Sequence, residues 1–99
     1  MAEPPECFTR DYGCTEVEWR RWLPEATHGH AWRATGSQGA DVTLGAGRLL
    51  LAWRVLPERR IALIRLPRLE VEFRFESVPA DTRAAFLKRF DLHTQRGGG

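Results

Sequence analysis

The sequence predicts an α+β domain of two layers, an antiparallel sheet of about five to six strands in the order β-α-β-β-β-β-β-α packed on a C-terminal helix. Three observations carry that expectation. Between Arg48 and Glu76 apolar and polar residues alternate, most strictly where Leu69, Val71, Phe73 and Phe75 interleave with Glu70, Glu72, Arg74 and Glu76. Two stretches outside this region place apolar residues at helical spacing. At 99 residues the chain has room for one core, so strands and helices must share it. The expected domain is residues 1–94, followed by a flexible Gly-rich tail at 95–99.

Residues 1–6 read as a polar, proline-bearing lead-in, and Cys7–Tyr12 as a short strand with Phe8 inward, ended by Gly13. Thr15-Glu-Val-Glu18 fits the capping box, in which a hydroxyl and a carboxylate satisfy free N–H groups at a helix start. Trp19, Trp22, Leu23 and Ala26 then form one apolar stripe, and Pro24 should stop or kink the helix near Leu23. His30–Ala34 and Ala40–Leu44 read as strands joined by Gly36–Gly39, with Trp32, Val42 and Leu44 inward. Gly45-Ala-Gly47 turns the chain into the central stretch.

There the expectation is three strands, Arg48–Leu56, Ile61–Leu66 and Leu69–Glu76, joined by a hairpin loop at Pro57–Arg60 and a proline turn at Leu66–Leu69. This register sets Leu56 opposite Ile61, Trp53 opposite Ile64, Ile64 opposite Val71 and Arg65 opposite Glu70. The core face would carry Leu49, Leu51, Trp53, Val55, Ala62, Ile64, Val71, Phe73 and Phe75. The other face mixes Leu50, Leu56, Ile61 and Leu63 with Arg54, Arg65, Arg74, Glu70 and Glu72. A rival reading bends one strand, Ile61 to Glu76, at Pro67; at about 3.3 Å per residue it would run roughly 50 Å, against a usual ~20 Å, so the turn is preferred. Pro79 opens the last helix, where Ala84, Phe86, Leu87, Phe90 and His93 supply an apolar side to about Thr94.

This element order resembles, at the level of topology, a shortened helix-grip (START-like) fold, in which a sheet wraps a long C-terminal helix and can enclose an apolar ligand. The resemblance implies a concave sheet with space for such a ligand. If the C-terminal helix leaves that space open, Trp19, Trp22, Trp32 and Trp53 would line it, with Arg54 or His30 at the rim. Otherwise four tryptophans in a domain of this size are its core.

Net charge is +2, with fourteen Arg and one Lys among the basic residues, a bias that a GC-rich bacterial genome produces without selection for guanidinium chemistry. No apolar run approaches the roughly 18 residues that span a bilayer, and the N-terminus lacks the basic and apolar regions of a secretory signal. The expected setting is cytoplasmic, with no membrane partner and with Cys7 and Cys14 reduced.

No catalytic constellation stands out and no cofactor is expected. Cys7, Cys14, His28 and His30 are the only soft-ligand set, but their spacing lacks the paired short intervals of a structural zinc site. Cys14 just precedes a helix start, where the dipole can lower a thiol pKa, yet no base is assigned to it. Glu70 and Glu72 lie beside arginines that would keep them ionised. A protein partner, a second copy or a small apolar ligand on the sheet is therefore the first expectation, with Trp32, Arg54, Leu56, Ile61, Leu63, Arg65 and Arg74 as binding candidates. Arg-mediated nucleic-acid binding stands second, because the sheet region is rich in arginine but its aromatics fall on the core face. A small thiol- or metal-dependent enzyme stands third.

Overall fold

Alternation and helical spacing produce the two layers expected. The structure is a computed structural model describing residues 4–27 and 29–98, in the order β1 (Cys7–Tyr12), α1 (Glu16–Ala26), β2 (Trp32–Ala34), β3 (Gly39–Leu44), β4 (Gly47–Ile61), β5 (Ile64–Glu76) and α2 (Ala80–Gly98). The five strands form one antiparallel sheet in the spatial order β1-β5-β4-β3-β2. Both helices cover the same face. Phe73 and Phe90 meet edge to face at 5.6 Å between ring centres, and Trp19 sits among Tyr12, Trp53 and Phe90 at 5.2, 5.7 and 5.8 Å. Leu49, Leu51, Trp53, Val71, Phe73 and Phe75 all point into this core, as the alternation requires.

The central stretch differs from expectation in its turns. It forms two long strands, not three, closed by a two-residue hairpin at Ala62-Leu63 with Ile61 opposite Ile64. Leu51 faces Phe73, Trp53 faces Val71 and Arg54 faces Glu70, so the expected Arg65–Glu70 pair does not form; both residues lie on β5. The reason is the prolines. Pro57 lies in a bulge between Leu56 and Arg59, where two residues of β4 lie unpaired between the Leu56–Arg68 and Arg59–Leu66 pairs, and Pro67 stands across from it. A residue without an N–H is tolerated at such a ladder interruption, so each proline interrupts pairing without ending its strand. The rival reading of one strand from Ile61 to Glu76 is therefore right in running through Pro67 but not in its start, since Ile61 ends β4 and β5 begins at Ile64; at 13 residues β5 is long for a strand all the same. Three residues expected in the core are exposed: Val55 keeps the core-facing parity but lies beyond the helices, Ile64 falls on the opposite face from Leu69 and Val71, and Ala62 sits in the hairpin turn.

The helices depart in smaller ways. The Thr15–Glu18 capping box forms, Thr15 Oγ1 accepting from Glu18 N at 3.1 Å and Glu18 Oε1 from Thr15 N at 2.9 Å. Helix α1 continues through Pro24 to Ala26, since Leu23 and Ala26 are buried on the core and Thr27 Oγ1 donates to the Leu23 carbonyl at 2.7 Å. On α2 Ala84 is exposed, and Arg83 and Thr94 are buried beside Phe86, Leu87 and Phe90. Arg83 can be buried because it donates to the carbonyls of Val78 at 2.6 Å and Pro4 at 3.1 Å. The α2 backbone stays helical through Gly98, past the expected end at Thr94 and into the expected tail. Gly99, part of the expected tail, lies outside the described residues.

Candidate functional site

Strand lengths create the feature that stands apart from the body. β3 pairs with β4 only as far as Ala52, and β1 pairs with β5 only from Leu69 to Arg74. Beyond those limits β4 and β5 pair with each other, forming a two-stranded arm from Val55 to Arg68. Val55 to Ile61 alone covers roughly 20 Å at 3.3 Å per residue. Every residue from Pro57 to Leu66 is exposed.

The arm is apolar and basic together. Leu63 at the tip is 100% exposed, and Val55, Ile61, Ile64 and Leu66 are exposed with it. Ile61 faces Ile64, and Arg59 faces Leu66. On the alternate positions Arg60 lies directly opposite Arg65. Like charges at facing positions destabilise a strand pair. Arg54 and Arg68 are held by Glu70 and Asp11, each at 2.8 Å, whereas Arg59, Arg60 and Arg65 make no ion pair among the described residues. The segment Val55–Arg68 holds four arginines and one glutamate, a charge of +3 in a chain of net +2, so the rest of the chain sums to −1. At its base, Asp11, Tyr12, Arg59, Leu66, Pro67 and Arg68 line an open cleft of about 200 Å³.

Of the binding candidates read from the sequence, Leu56, Ile61, Leu63 and Arg65 come together on this arm. Arg54 and Arg74 lie instead on the uncovered face of the body, where Arg33, Arg48 and Arg54 with Asp41, Glu70 and Glu76 form a charge-balanced ladder. Trp32 stands on the far edge strand β2. Arg59 and Arg60, which the sequence offers only among the sheet-region arginines of the nucleic-acid reading, join them here, and Ile64 and Leu66 were missed as exposed residues. Their signal was the near-symmetry of Arg-Arg-Ile and Ile-Arg-Leu about Ala62-Leu63, with a proline outside each flank.

The other candidates are dispersed. Burial pushes the Cys14 thiol up to about 11, assisted by the Glu18 charge, the reverse of the lowering expected beside a helix start. Cys7 is exposed on β1, and His30 packs against Phe86 at 5.5 Å. His28 lies outside the described residues. Among the described residues no three His, Cys, Asp or Glu side chains are placed to hold a metal ion. Trp19 and Trp53 are core residues, Trp53 donating from Nε1 to Glu16 Oε2 at 2.9 Å; Phe90 of α2 packs on Trp19 and Phe73, and beside that helix Ala26, His30, Leu44, Phe86 and Arg89 line an open groove of about 320 Å³. Among the described residues no helix is long and apolar enough to cross a membrane.

An antiparallel sheet with one covered face and a projecting arm defines an α+β two-layer domain. No family model matches the chain, and neither a curated protein nor a solved structure matches it.

Proposed function

We propose that this chain is a non-catalytic binding module that grips an anionic macromolecule with the β4–β5 arm. The observation that carries the reading is Arg60 opposite Arg65, two guanidinium groups at facing positions that make no ion pair among the described residues. A ligand bearing closely spaced negative charges would turn that repulsion into attraction at both groups. Arginine suits the role because its planar donors match phosphate and carboxylate oxygens in pairs.

Retention on immobilised heparin tests this. The wild-type chain is retained at low salt, R59Q/R60Q/R65Q elutes much earlier, and R54Q/R74Q, on the open face of the body, elutes with the wild type. Equal elution of all three proteins removes the arm from the account.

Self-association is the second reading, favoured by the exposed Ile61, Leu63, Ile64 and Leu66 and by the unpaired outer edges of the arm. The charges oppose it, because two arms brought edge to edge would set the unpaired arginines of one against those of the other. Sedimentation over a range of concentrations separates the readings, a dimer abolished by L63S supporting the second.

A further inference from the structure

Resting on that reading, we infer that the anionic macromolecule is a nucleic-acid duplex, specifically DNA, with the arm seated in a groove and the aliphatic tip against the base steps. Charge selects the class. Arg59, Arg60 and Arg65 sit within a short ribbon, Arg60 and Arg65 facing each other on one side of it and Arg59 on the other, so that cationic side chains leave both of its faces. A duplex presents phosphates on both sides of each groove, at one charge per about 1.7 Å of axis. Two-stranded ribbons are known to enter DNA by the minor groove as well as the major one.

The rest of the arm narrows the form of the ligand. It carries no aromatic side chain from Val55 to Arg68, so it offers no platform on which single-stranded bases could stack. It carries instead a fully exposed leucine at the apex, held by Ala62 in a left-handed conformation (φ 54°) and flanked by the Ile61–Ile64 pair. In proteins that bind the minor groove, apolar side chains act as wedges between base steps, partly unstacking them and kinking the duplex, so an aliphatic tip places the arm in the minor groove. An RNA duplex has a major groove too deep and narrow to enter and a minor groove too wide and shallow to hold the ribbon between two phosphate rows. Leu63 is thus the wedge, Arg60 and Arg65 the phosphate clamps, and Arg59 a third phosphate contact.

The test is fluorescence anisotropy with a short labelled DNA duplex, between about 50 and 200 mM salt, together with a second duplex carrying 2-aminopurine. Three phosphate contacts predict a log–log salt slope near −3, and R60Q/R65Q should make it shallower by about 2. L63S should keep the slope and lose the rise in 2-aminopurine fluorescence that unstacking produces. Retention on heparin without duplex binding overturns this inference and leaves the polyanion reading standing; failure to bind either ligand overturns both. Equal affinity for a single strand of the same length, or an unstacking signal that survives L63S, also overturns it. So does a dimer that L63S abolishes in a chain that does not bind the duplex.

Discussion

Ala62 carries φ 54°, a left-handed backbone that costs a non-glycine residue roughly 1–2 kcal/mol. Glycine would remove that strain but give freedom back to the unfolded chain, so A62G should raise the unfolding free energy by roughly 0.5 kcal/mol in urea titrations. Gly47 is the opposite case. A Cβ there would lie 2.3 Å from the Ser77 carbonyl oxygen and 2.4 Å from that of Glu76, backbone atoms that cannot swing aside. G47A should cost about 2 kcal/mol or more by the same measurement. For Cys14 the pH dependence has a definite sign. Its thiol rises from 9.0 to about 11 on folding, so the stability it contributes is fully present below pH 9.0 and is lost as pH rises through about 11. The urea midpoint of the wild type should fall faster across that window than that of C14A, and alkylation at mildly alkaline pH should mark Cys7 well before Cys14. None of these three properties was legible in the sequence. Each depends on what a neighbouring element brings up against the residue.

Alternation made the faces of β4 and β5 legible, because parity within a strand does not depend on where the strand turns. Leu49, Leu51, Trp53, Val71, Phe73 and Phe75 were therefore placed correctly by a register that was itself wrong. Pairing between strands does depend on the turn, and Pro57 and Pro67 read as turns because a bulge has the same local chemistry as a loop. The arm was hidden for that reason, since cutting the ribbon into hairpins folded its exposed half back over the core. The capping box at Thr15 and Glu18 was legible because it is wholly local. Arg83 was not, because its two carbonyl partners lie in the N-terminal lead-in and the loop before α2. Packing between elements predicts a larger effect than any of these local features. Phe90 touches the rings of Trp19, Phe73 and Phe86, so F90A should cost about 3–5 kcal/mol and lower the thermal midpoint accordingly.

The buried side chains of the sheet end at Trp53 on β4 and Leu69 on β5, so the arm beyond them adds little to the core. Val55 and Leu69 already face each other, and a two-residue Asn-Gly turn could join them in place of residues 56–68. The shortened chain should keep an unfolding free energy within about 1 kcal/mol of the parent, a change expected of exposed positions. The charge is also unevenly spread: the body carries the Arg10–Asp91, Arg20–Glu16 and Arg54–Glu70 pairs and, among the described residues, scatters Arg21, Arg74 and Arg89 without an ion pair, whereas Arg59, Arg60 and Arg65, equally without one, are gathered on the short ribbon. The contact surface of the proposed function is therefore one element. Amide chemical shifts recorded while a short heparin fragment is titrated into the chain test that most directly. The account predicts that the moving resonances fall between Val55 and Arg68, centred on Arg60 and Arg65. Shifts centred instead on the body ladder of Asp41, Arg48, Glu70 and Glu76, or on the groove around His30, Phe86 and Arg89, would contradict it.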